Sequence, residues 1–203
     1  MTAGDAQIGT RERLLDAAIK LFARQGYAET SIADIQRECG LSAGSGALYK
    51  HFSSKRELLE AATRRFADGL AQHWKRFEVN AGEDTEDVLR RAAMLIWDGI
   101  EANSPLLRVI FREPVFPDLA DELWSAITEN AYRRFAIGMR AVVDAGMLRI
   151  DDPDATAAVL VASLAYYPMV RLLIGHTPGE IERDRYLKAW ISHALASLER
   201  GIG

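Results

Sequence analysis

The chain has 203 residues, 49% of them apolar, with 25 Lys and Arg against 29 Asp and Glu and a formal net charge of −4. That length suits one large domain or two small ones with a sizeable core, and the negative balance argues against indiscriminate nucleic-acid binding. A single cysteine, Cys39, excludes an internal disulfide and any multi-cysteine zinc site, which fits a reducing cytoplasm. Charge is unevenly spread. Residues 1–79 carry 12 Lys and Arg against 10 Asp and Glu, and residues 80–203 carry 13 against 19, so the first part is net +2 and the rest net −6. A small nucleic-acid reader on an acidic body has this asymmetry. The first nine residues hold no basic residue and no apolar run, so no secretory signal is expected, and with Asp5 there no strong basic arm is expected before Arg11.

Taken in chain order, the pattern is helical throughout, with no strand-like alternation of useful length and no internal repeat; nine helices are expected. Thr10 caps a first helix whose stripe is Leu14, Leu15, Ala18, Ile19, Leu21 and Phe22, and Gly26 follows it. Thr30 or Ser31 caps a second, with Ile32, Ile35 and Cys39 inward and Gly40 at its end. Ser42 or Ser45 opens a third through about Phe52. Ser54 caps a long fourth, with Glu57 three residues on as in a capping box, running to about Val79. After the turn Asn80–Asp84, Thr85 opens a helix to about Asn103, and Ser104-Pro105 opens a short one stopped by Pro114 and Pro117. Asp118 opens a long helix to about Ala145, closed by Gly146. Asp152-Pro153 opens an apolar helix ending near Gly175, and Thr177-Pro178 opens the last, to about Arg200. The longest uncharged stretch, 155–170, falls short of the ~20 apolar residues that span a bilayer, so a buried helix and no membrane contact are expected.

The segment from Gly40 to Phe52 carries the function. Leu48 and Phe52 stand four apart, share one helix face and pack inward, which leaves Tyr49, Lys50 and His51 turned outward behind two short amphipathic helices. Small residues Ala43, Gly44, Ser45, Gly46 and Ala47 let backbone approach a groove closely, where N–H groups and Ser hydroxyls meet phosphate. The string Thr30-Ser31-Ile32-Ala33-Asp34-Ile35, then Gly40-Leu41-Ser42, then Gly46-Ala47-Leu48-Tyr49-Lys50-His51-Phe52, then Lys55 and Leu58, resembles the helix-turn-helix of the TetR-type (tetracycline-repressor-like) transcriptional regulators. The resemblance covers about a quarter of the chain. It implies an all-α fold with a DNA-binding domain at 1–53 and a helical ligand-binding and dimerisation domain at 54–203. It also implies phosphate contacts at Thr30, Ser42, Tyr49, His51 and Lys55; exposed Lys50 is expected to add a phosphate contact by its charge. One departure concerns the turn: Ala43, Gly44 and Ser45 stand between Ser42 and Gly46, where the family usually has one residue. The two extra residues lengthen the turn or extend the reading helix, and base choice is expected within Ala43–Ala47.

The family's other attributes become expectations: a homodimer on a double-stranded inverted-repeat operator, released by a small-molecule inducer, in the cytoplasm. Trp74, Trp97, Phe111, Trp124, Tyr132 and Tyr166 are the candidate lining of a pocket for an apolar or aromatic ligand. The helix from Pro153 is apolar almost all round and the last helix is amphipathic. Leu160, Leu164, Tyr167, Leu187, Trp190, Ile191, Leu195 and Leu198 are therefore expected in a four-helix dimer bundle. No cofactor is expected, no metal site is expected from the scattered His73, His176 and His193, and no nucleophile, phosphate-loop or paired-cysteine motif points to an enzyme. The alternative is a helical ligand-binding or interaction module with a vestigial helix-turn-helix.

Overall fold

The structure, a computed structural model, describes residues 9–42, 46–77, 83–112, 116–146 and 149–199. Among these every regular element is helical: α1 (Thr10–Gln25), α2 (Ile32–Glu38), a 3₁₀ turn (Leu48–Lys50), α3 (Lys55–Arg76), α4 (Thr85–Ala102), α5 (Ser104–Arg112), α6 (Pro117–Trp124), α7 (Asn130–Asp144), α8 (Pro153–Ile174), a 3₁₀ turn (Pro178–Glu180) and α9 (Arg183–Glu199). The all-α expectation holds, and most boundaries fall within a few residues of the sequence reading.

Four details differ. The third helix is described only as the short turn Leu48–Lys50, because Gly46 stands at φ +66, outside the helical region, and Ala43, Gly44 and Ser45 lie outside the described residues. The long helix from Asp118 carries a π-turn, Ser125–Glu129, between α6 and α7. In that turn the Thr128 hydroxyl donates to the Trp124 carbonyl at 2.6 Å, and the Asn130 amide donates to Ala126 O at 3.3 Å. The last helix begins at Arg183 rather than Thr177, since Gly179 at φ +70 breaks the preceding turn. Thr10 is the first residue of α1 rather than its cap. The expected ends at Val79 and Arg200, and Asn80 and Pro114, also lie outside the described residues.

The chain divides into two compact units, one made of residues 1–66 and 105–120, the other of 67–104 and 121–203. The expected boundary at 53/54 thus lies inside the first unit. In that unit α1 packs on α2, and Leu14, Leu15, Leu21, Phe22, Ile35, Leu48, Phe52, Leu58, Leu59, Leu107 and Phe116 are buried. Each such side chain contributes roughly 1.5–3 kcal/mol through burial, so the core outweighs the exposed ion pairs at about 0–1 kcal/mol each. Those pairs still fix orientation: Arg65 on α3 donates to Glu12 at 2.7 Å and to Asp16 at 2.6 Å on α1. The Tyr27 ring lies 5.0 Å from Phe22 and, edge-on, 4.8 Å from Phe116.

In the second unit α8 packs against α7, α4 and the π-turn, while α9 packs on α4. Asp152 accepts the Ala155 N–H at 2.9 Å and Pro153 occupies the first turn, which sets the start of α8. By length and composition α8 could cross a membrane, yet half of its most apolar window is buried within the protein, as in a core helix. Its side chains also tie the following connection. Tyr167 Oη accepts from Thr177 Oγ1 and Ile181 N, both at 2.8 Å, and donates to Pro178 O at 3.1 Å. Tyr186 stacks on Tyr167 with ring centres 4.2 Å apart and donates to Ser163 O at 2.6 Å.

Candidate nucleic-acid interface

The reader is built from two helix ends and one turn. Ser31 caps α2: its hydroxyl accepts the Asp34 N–H at 3.1 Å, and the Asp34 carboxylate takes the Ser31 N–H at 2.9 Å, a closed capping box. The other end of α2 closes as a Schellman motif. Gly40, at φ +71, donates to Arg37 O at 2.9 Å and Leu41 donates to Gln36 O at 2.8 Å. Cys39 precedes this glycine. Its thiol donates to Arg13 O at 3.2 Å, which ties α2 to α1, and burial pushes its pKa up.

The chain re-enters helical geometry only after Gly46. From Ala47 to Phe52 it makes a single turn, with His51 N donating to Leu48 O at 2.9 Å and Phe52 N donating to the same oxygen at 2.8 Å. Leu48 is fully buried and Phe52 nearly so, as the four-residue spacing requires. The residues between them, Tyr49, Lys50 and His51, are all exposed, Tyr49 at 61%. Tyr49 thus presents both its ring face and its hydroxyl to a partner. Ser42 is exposed beside them, and Gly46 and Ala47 are half-buried.

Two predicted contacts are engaged inside the protein. Thr30 is 1% exposed and its hydroxyl donates to Gly26 O at 2.7 Å. The Lys55 ammonium donates to Tyr27 O at 2.8 Å, Thr30 O at 2.7 Å and Ala28 O at 3.3 Å, and lies 4.6 Å over the Tyr27 ring. One cation escaped the sequence reading. The Arg11 guanidinium stands 5.1 Å over the Phe52 ring and pairs with Glu12 at 3.1 Å. An arginine in the first turn of α1 was the signal available for it.

The candidate ligand residues spread out. Trp74 and Trp97 are buried in the second unit, Trp97 within 5.6 Å of Tyr186 and 6.3 Å of Tyr167 by ring centres. Both indole N–H groups are buried without a hydrogen-bond partner among the described residues. Tyr132 is half-buried; Trp124 and Tyr166 are more than half exposed; Phe111 belongs to the first unit. Of the candidate dimer residues, Leu160, Leu164, Tyr167, Leu187, Trp190, Ile191 and Leu198 are buried within the chain, and Leu195 is half-buried. Trp190 Nε1 donates to Leu160 O at 3.2 Å and Ser163 Oγ at 3.1 Å, so even its polar atom is satisfied internally. The outward side of α8 is instead Val159, Ala162, Tyr166 and Ile174.

Known proteins resemble this chain in sequence and fold. The family model for bacterial regulatory proteins of the tetR family matches residues 14–62, and that for the C-terminal domain of AefR-like transcriptional repressors matches 101–197. The transcriptional repressor KstR2 of Rhodococcus jostii (strain RHA1) is 30% identical over 146 residues, 70% of either chain. The uncharacterised HTH-type transcriptional regulator YerO of Bacillus subtilis (strain 168) is 30% identical over 109 residues, 53% of this chain and 37% of its own length. Among solved structures, that of the SmeT–triclosan complex superposes with a TM-score of 0.70 at 24% identity, over 96% of this chain and 94% of its own. Exposed Tyr49, Lys50 and His51 on a turn anchored by Leu48 and Phe52 lie within the first matched segment, and the chain belongs to the tetR family of DNA-binding bacterial transcriptional regulators.

Proposed function

We propose that the chain acts in the cytoplasm as a homodimeric repressor that leaves an inverted-repeat operator when a small molecule binds its second unit. The observation that carries the reading is the exposed Tyr49-Lys50-His51 triplet between buried Leu48 and Phe52. In a two-fold dimer the two readers enter successive major grooves, about 34–36 Å apart or a multiple of that. The dimer is supported by the outward apolar stripe of α8, where Val159, Tyr166 and Ile174 are each about 60% exposed.

The ligand reading rests on the orphaned indoles. A buried N–H without a partner costs about 1–3 kcal/mol, and Trp74 and Trp97 each carry one. A ligand with an apolar or aromatic body and a hydrogen-bond acceptor would relieve that penalty. Such a ligand releases DNA only to the extent that it prefers one body conformation to the other. Tryptophan fluorescence titrated with triclosan, the ligand in the SmeT complex, and with related acceptor-bearing aromatics tests this; no quenching and no thermal shift across the set counts against it.

Genomic footprinting with the purified protein tests the main reading. Protected inverted repeats, lost as salt rises, are expected. Dimers that bind ligands and leave no footprint would favour the interaction module with a vestigial reader.

A further inference from the structure

Lys55 opens α3, and the family resemblance assigns it to DNA phosphate. Its surroundings are different. An ammonium has three N–H donors and no acceptor. All three are directed at main-chain carbonyls of the connection between α1 and α2, those of Tyr27, Ala28 and Thr30. The Tyr27 ring covers the same ammonium at 4.6 Å, and that ring is itself held by Phe22 and Phe116. The other polar group of the connection, the Thr30 hydroxyl, is turned back on Gly26 O. The connection is thereby fastened at four points, three of them through one side chain.

We propose that Lys55 is a positioning residue of the DNA reader, and that its charge is used on these carbonyls rather than on phosphate. Thr30 immediately precedes Ser31, the cap of α2, and Lys55 is the first residue of α3. The turn that exposes Tyr49, Lys50 and His51 hangs between these two helices. Lys55 therefore sets the separation between its two supports, and with it the aim of the triplet. The inference rests on the DNA-binding reading and refines one residue of it.

Salt dependence separates the two roles. A phosphate contact releases counterions, so its loss lowers the slope of log K against log salt by about 0.9 per reader; a positioning residue leaves the slope intact. Binding of Lys55→Met to the footprinted operator is measured at several salt concentrations, at a temperature where circular dichroism shows the variant folded. An affinity loss of about tenfold or more with the parent slope is expected. Leu14→Ala, which weakens the same core without touching the connection, should lower the melting temperature and keep parent affinity when folded. Lys55→Arg gives an independent reading if Lys55→Met does not fold. Its planar fork can meet a phosphate, but its donors diverge from three nitrogens and do not reproduce three bonds made from the single Nζ, so affinity should fall there too. A slope reduced by about 0.9 per reader, parent affinity in Lys55→Met, or full retention by Lys55→Arg would overturn the proposal. Absence of operator binding by the parent chain would instead remove the DNA-binding reading.

Discussion

Gly46 and Lys50 show how differently neighbouring residues serve one turn. Gly46 is there for its backbone. At φ +66 a side chain is strained, although a Cβ at this position would meet nothing within 4 Å. Gly46→Ala is therefore expected to lose only the left-handed penalty, about 1–2 kcal/mol in urea unfolding, with Asn at the same position losing less. Lys50 is there for its charge, being exposed and in no ion pair among the described residues. Lys50→Ala should leave the melting temperature unchanged, weaken operator binding, and lower the salt slope by about 0.9 per reader in a gel-shift series. Unchanged affinity would remove the triplet from the interface. Leu48 and Phe52 were legible because a spacing of four puts two residues on one face whatever the tertiary fold. The duty of Lys55 was not, because its three acceptors lie 25 to 28 residues earlier and are carbonyls, which any sequence supplies.

The starts of α2, α3 and α8 were legible, since caps are local chemistry, whereas those of α1 and α9 were placed differently by the fold. Ser31 with Asp34 closes α2, and Glu57 closes the start of α3. There the Glu57 carboxylate reaches Ser53, taking its N–H and hydroxyl at 2.6 Å each, while Ser54 Oγ accepts the Glu57 N–H at 3.1 Å. Removing a cap from a helix as short as α2 matters: Ser31→Ala is expected to cost about 1 kcal/mol. The same groups predict acid behaviour. The Arg65 guanidinium holds the Glu12 carboxyl below its ordinary pKa, the Ser31 hydroxyl and N–H do so for Asp34, and those of Ser53 do so for Glu57. A depressed folded-state pKa means that the unfolded chain binds more protons. This contribution is complete above the ordinary carboxylate pKa and disappears as pH falls through the folded values. The melting temperature should hold from neutrality to about pH 5 and then fall, somewhat less steeply in Ser53→Ala, whose Glu57 keeps the backbone N–H of residue 53 but loses the hydroxyl donor. The π-turn at Ser125–Glu129 was beyond this kind of reading. It adds one residue to a helical turn whose composition is ordinary, and only its packing against α4 and α8 distinguishes it.

At the scale of the whole molecule the open question is which face of α8 a second copy would cover. A helix apolar on nearly every side carries no mark of its inner face, so periodicity could not choose. The structure turns Leu160, Leu164 and Tyr167 inward, where Tyr167 also holds the connection to α9 through three hydrogen bonds. Val159, Tyr166 and Ile174 are left outside on spacings of seven and eight, one continuous face at helical period. A dimer formed there makes two opposite predictions for adjacent tyrosines. Tyr166→Lys places a charge in the apolar stripe and should give a monomer mass in light scattering. Its operator affinity should drop by about 10²–10⁴, because the second reader no longer binds at high effective concentration. Tyr167→Phe should keep the dimer mass and operator affinity, yet lose about 1–3 kcal/mol of stability as Thr177 Oγ1 and Ile181 N lose their acceptor. The reverse pattern, a monomer from Tyr167→Phe and an intact dimer from Tyr166→Lys, would move the interface to the inner face and require α8 to turn about its axis on assembly.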